Sequence, residues 1–249
     1  MRKWILVFLG AITTFGMISC NQAIPDYSID EAFVLMNQAI VSYLEADSLS
    51  LEYTGNYVST NYNNDEVMTV KMKKMNSDNL IGQVSMTITE NNSSFDSKVN
   101  FIDGIVYTAN YISGNNPEYL KKTLDSAEYQ RLYQSFLKAE IKQDSTRSSQ
   151  IEVDKDNLTI QFELKSEDVE PTFFVSSVLQ TVRFAIVKIV VSHQGVLRSL
   201  SVEYEGTIDG VVGVQTYSLF VLKLNQYVII KQLSSTEKAI YQESTDETA

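Results

Sequence analysis

The sequence predicts an α+β fold, with a large curved antiparallel sheet of about ten strands, half-barrel-like, packed on several helices. Three observations predict it. Apolar and polar residues alternate from Leu51 to Tyr111 and again from Phe184 to Leu224, the period of strands with one wet face. Fourteen tyrosines and abundant Val, Ile, Thr and Phe favour strands. Asp103-Gly104 and Asp209-Gly210 each separate two alternating runs, as two-residue hairpin turns do. A sheet of that width curls, and helices must cover its apolar face.

Ser28-Ile29-Asp30-Glu31 has the spacing of a capping box and opens a helix running to about Ala46. Phe33, Met36, Ile40 and Tyr43 fall on its one apolar face. Leu51, Tyr53, Gly55 and Tyr57 mark the first strand, and Met68, Val70 and Met72 the second. Val84, Met86 and Ile88 mark the third. Phe95, Val99 and Phe101 mark the fourth, which turns at Asp103-Gly104 into a strand through Ile105, Tyr107 and Tyr111. Beyond the break at SGNNP (113–117), Tyr119, Leu120 and Leu124 predict a short helix. Leu132, Tyr133, Phe136 and Leu137 predict another, opened by Asp125 or Ser126. Residues 142–150 read as a polar loop, 151–153 and 158–164 as a hairpin, and 166–182 as a helix. Long strands at 184–192, 196–207 and 211–224 follow, then a short one at 227–231. Residues 28–243 read as one domain, preceded by a tether at 20–27 and followed by a flexible tail at 244–249.

The N-terminus carries an address. Arg2 and Lys3 precede fifteen uncharged residues, WILVFLGAITTFGMI, the layout of a secretory signal. As a helix these rise about 22 Å, short of a hydrocarbon core of about 30 Å, so residues 1–19 read as a cleaved signal peptide. Cys20, the only cysteine, follows directly. The segment resembles the lipobox of bacterial lipoproteins: Ser19 is the small residue before the cysteine, Ile18 is acceptable, and Met17 stands where the family usually has Leu. The resemblance covers residues 1–20. It implies a diacylglyceryl thioether on Cys20, with acyl chains such as palmitate, and a protein anchored on the extracytoplasmic side of the cell membrane. Two chains hold firmly where one holds marginally.

Composition excludes several classes. Loss of residues 1–19 removes Arg2 and Lys3 and takes the formal net charge from −11 to −13. That opposes nucleic-acid binding and electrostatic adhesion to anionic lipid. His193 is the only histidine and falls in a predicted turn, so neither a Ser-His-Asp triad nor a His-based zinc site can be assembled around it without unusual partners. Glu203 and Glu205 fall on a wet strand face and Asp65-Glu66 in a turn, and nothing selects a glycosidase pair. Phosphate-loop motifs are absent. Asp154 to Asn157 lacks the glycine and distal glutamate of a calcium loop and reads as a hairpin turn. No cofactor and no metal are called for.

The most suggestive feature is a methionine face. Met68, Val70, Met72, Val84, Met86 and Ile88 fall on the apolar side of neighbouring strands, and methionine adapts to varied apolar partners. Two readings stand: a lipid or other apolar ligand between this face and the first helix, or a helix that fills the space and makes the methionines core. The element order over 28–233 resembles the lipoprotein-carrier (LolA-like) superfamily, which implies an open half-barrel around helices and acyl chains in the cavity between. Together these give a non-enzymatic, membrane-anchored lipoprotein that binds an apolar ligand. The alternative is a surface interaction module presenting strand faces or loops, with Tyr62 and Tyr129 among its exposed tyrosines, to a protein partner that the sequence does not identify.

Overall fold

The computed structural model describes residues 24–244 except 61, 91–92, 135, 175–180 and 209. Helix α1 (Ile29–Leu44) begins at the capping box as expected: the Glu31 amide donates to the Ser28 hydroxyl, and the Ser28 amide donates to the Glu31 carboxylate at 2.8 Å. Those bonds hold the Glu31 carboxyl below its ordinary pKa.

Two meanders follow. The first comprises β1 (Ser48–Ser59), β2 (Tyr62–Lys73), β3 (Ile81–Glu90), β4 (Ser93–Ile102), β5 (Ile105–Ile112) and β6 (Glu118–Thr123). Helix α2 (Ser126–Gln134) and a short 3-10 turn lead to the second: β7 (Thr146–Val153), β8 (Asn157–Lys165), helix α3 (Ser166–Thr172), β9 (Thr181–Ser192), β10 (Leu197–Ile208) and β11 (Val211–Leu224). Helix α4 (Ser235–Lys238) and β12 (Gln242–Glu243) close the chain. All twelve strands belong to one sheet, in the order β12-β6-β5-β4-β3-β2-β1-β11-β10-β9-β8-β7. The pairings are antiparallel except β12 on β6, so the sheet is mixed and has two strands more than predicted.

Four elements differ from expectation. Residues 118–123 form strand β6 rather than a helix, because Tyr119 packs on one face of the sheet while Leu120 lies on the other. The polar stretch 146–150 belongs to β7, an edge strand whose side chains are largely solvated on both faces. A bulge with Ser148 at a φ of 52° breaks its register, which blunts an otherwise open edge. The predicted helix at 166–182 stops at Thr172, one residue past Pro171, and β9 has begun by Thr181. Residues 227–231 join no strand. They are a strap, with Val228 and Ile230 buried while Tyr227 and Ile229 are exposed. Beyond α4, Tyr241 stands edge-on to Tyr107 and Tyr119, at 5.3 and 5.4 Å, on the outer face of the sheet. The Ser244 amide bonds the Lys121 carbonyl, and residues 245–249 lie outside the described chain.

The core lies on the inner face. There α1 packs on β7 to β10, and its Asn37 amide both donates to and accepts from the Ile141 backbone at 2.9 Å, pinning the chain beyond α2 to the helix. Over the first meander, Tyr129 of α2 stacks on Phe101 at 4.6 Å and its ring occupies the space above Gly82, where any side chain would collide with it. The Tyr129 hydroxyl is buried without a hydrogen-bond partner among the described residues. A buried, unpaired hydroxyl costs about 1–3 kcal/mol, so Tyr129→Phe should stabilise the fold by about 1 kcal/mol or more. Urea denaturation would show it as a higher midpoint; a lower midpoint would mean that the hydroxyl finds a partner in solution.

Candidate functional site

The inner face carries the methionines where alternation put them. Met68, Val70, Met72 and Val84 are at most 6% exposed and belong to one continuous core with α1 and the chain after α2. Val70 and Met72 have no accessible surface at all, so no space large enough for water adjoins them. Met86 and Ile88, further along the same face, are half-buried.

Among the described residues the covering stops between these two groups. Residues 136–138 and 172–174 pair as a small plug, through an antiparallel bridge of Leu137 with Phe173 and a bond from the Lys138 amide to the Thr172 carbonyl at 2.8 Å. Two tyrosines rivet the plug to the sheet. Tyr217 Oη donates to the Phe136 carbonyl at 2.8 Å, and Tyr204 Oη to the Phe174 carbonyl at 2.7 Å. The Phe136 ring stacks on Tyr53 at 4.5 Å.

Beyond the plug one inner row runs Gly55, Glu66, Ile88, Phe95, Ile112 across β1 to β5. Ile88 and Phe95 are half-buried and Ile112 is 49% exposed. Glu66 therefore lies on a strand, not in a turn, and points to the apolar side. Its carboxylate has no hydrogen bond or ion pair among the described residues, and burial raises its pKa above the ordinary value. The Tyr53 ring lies across Gly55, which gives it room by having no side chain. Burial first, then the charge of Glu66, raises the pKa of the Tyr53 hydroxyl, which stays protonated at neutral pH. The result is an apolar strip with one carboxylate and one phenol at its end. It offers binding chemistry rather than a nucleophile with its base.

The other openings differ. A groove of about 700 Å³ runs between α1 and residues 140–143. Phe33, Val34, Val41 and Ile141 line it beside Asp30, Asn37, Gln38 and Lys142, so its walls are mixed and their accessible surface is mostly apolar. His193 is more than a solvated turn residue. Its Nε2 donates to the Asp154 carbonyl at 3.0 Å, which leaves Nδ1 to accept from Tyr27 Oη at 3.1 Å. The histidine thereby clips the chain before α1 to the β7–β8 turn. That turn is built as expected, with Asp154 Oδ1 accepting from the Asp156 and Asn157 amides at 2.7 Å.

Of the tyrosines predicted to be exposed, Tyr129 is fully buried, which corrects that expectation, and the side chain of Tyr62 lies outside the described structure. Cys20 also lies outside the described residues. Among the described residues no three His, Cys, Asp or Glu side chains converge as metal ligands, and no helix is long and apolar enough to cross a membrane. Glu66 was legible after all: it is in phase with Met68, Val70 and Met72, at even positions of one strand.

No family model and no curated protein matches this chain. Solved structures that resemble it include the lipoprotein LppX of Mycobacterium tuberculosis, at 10% identity and a TM-score of 0.47 over 82% of this chain and 100% of that one. Another is LprF of Mycobacterium bovis, at 10% identity and a TM-score of 0.49 over 84% of this chain and 98% of that one. Scores this low establish neither a shared fold nor a shared ligand.

Proposed function

We propose that this chain is a non-enzymatic bacterial lipoprotein, anchored through lipid on Cys20 at the extracytoplasmic face of the membrane. Its inner face holds an apolar or amphiphilic molecule at the end that the plug leaves uncovered. The signal and lipobox at residues 1–20 support the address.

One observation carries the binding. Ile88, Phe95 and Ile112 remain apolar where the face meets solvent. The outer side of that row is mixed, with Thr54, Thr87 and Asp96 beside the exposed Val67. An apolar strip on the inner side, bordered by polar side chains such as Glu66, Ser97 and Asn110, has the make-up of a small-molecule site.

Native mass spectrometry of the protein purified from its own membrane, followed by lipid extraction, tests the proposal. A bound apolar molecule is expected, and Ile88→Glu should remove it without unfolding the protein. A wild-type protein that emerges ligand-free, or a variant that keeps the same molecule, would defeat it.

A further inference from the structure

The inner face of the first meander has a pronounced charge asymmetry. Its inward positions on β1 to β5 include Glu66 and Glu90 but no Lys or Arg. The lysines of these strands (Lys71, Lys73 and Lys98) are all out of phase with the core and face the other way. Glu90 is exposed, two residues beyond Ile88 on the same face, while Glu66 sits half-buried between Gly55 and Ile88. Two carboxylates thus flank the end of the strip, and the inner one has no protein partner among the described residues.

A carboxylate is costly beside apolar side chains unless something satisfies it. Here Gly55 and the Tyr53 ring leave Glu66 open to the strip rather than to a basic residue. A fatty acid or phospholipid phosphate brought to this place would meet like charge, whereas an ammonium group would meet an unpaired acceptor.

We propose that Glu66 anchors the polar end of the ligand, and that the site takes a cationic amphiphile: a long-chain amine with its tail on Met86, Ile88 and Phe95. This rests on the strip being the ligand site. Glu90 adds a second negative charge at the rim. The selectivity comes as much from rejecting anionic heads as from accepting amines.

The test uses the full chain in nanodiscs of zwitterionic phosphatidylcholine. Decylamine, decanol and decanoate analogues, each with a photoreactive diazirine in the tail, are cross-linked and mapped by mass spectrometry. Hydrogen bonds to charged groups are worth about 1.5–3 kcal/mol, so the amine should label the peptides containing Met86, Ile88 and Phe95 about tenfold or more over the carboxylate. Glu66→Gln should lower the amine-to-carboxylate labelling ratio about tenfold, leaving the smaller preference due to Glu90, and partition into the nanodisc cancels between wild type and variant. A wild type that takes amine and carboxylate equally, or a labelling ratio that Glu66→Gln leaves unchanged, overturns the assignment of Glu66 and leaves the strip as a ligand site. If no probe labels these peptides, the strip itself is not the site.

Discussion

Replacing Phe101 with alanine should cost about 3–5 kcal/mol, the range for a fully buried aromatic ring. That is a large part of a total stability of about 5–15 kcal/mol. Phe101 has no accessible surface, and its ring lies between the sheet and Tyr129, 4.6 Å away and inclined by 17°. The site collapses poorly because its strand neighbour on one side is Gly82, which has no side chain to move inward. Urea denaturation should show a lower midpoint with an unchanged slope. A loss under about 2 kcal/mol would mean that α2 settles into the gap, since the cost depends on how far a site relaxes. Combining the change with Tyr129→Ala should cost less than the sum of the two, because residues in contact couple.

Cys20→Ala should abolish incorporation of labelled fatty acid and move the protein out of the mature, membrane-bound fraction. It would then be either released or held as an uncleaved precursor. The effect is expected to be close to complete. Each buried methylene contributes about 0.8 kcal/mol, and cleavage before Cys20, as proposed, would leave a chain of formal charge −13 with no electrostatic substitute. Fractionation with a fatty-acid label checks it, and labelling that survives the change would refute the lipid attachment.

The sequence was most legible where one physical rule acted alone. The Ser28–Glu31 box begins a helix because its donors need acceptors, and it does so in the structure. Asp103-Gly104 turns because both residues tolerate positive φ, here 55° and 73°. Legibility failed where tertiary context intervened. Strand β6 half-buries side chains on both faces, so its alternation vanishes. Strand β7 buries few on either, and pairing with β8 defines it instead.

The strap is the most instructive failure. Alternation at 227–231 correctly reported an extended chain on an apolar surface, but period two does not say whether the backbone has a partner. For the site, the methionine face was placed correctly, yet burial divides it between core and opening. That division depends on the plug, whose two halves are thirty-odd residues apart and carry no common motif.

The order of the strands constrains how the molecule assembles. Each meander consists mainly of hairpins between neighbours in sequence, which can form locally. The seam between them is β1 against β11, with Leu49 opposite Leu224 and Tyr53 opposite Leu219. That ladder requires the two ends of the domain to meet, and pairings so distant in sequence form slowly because loop closure precedes any gain from contact. The seam is therefore the late step. Until it closes, the chain is two separate curved halves with their inner faces open.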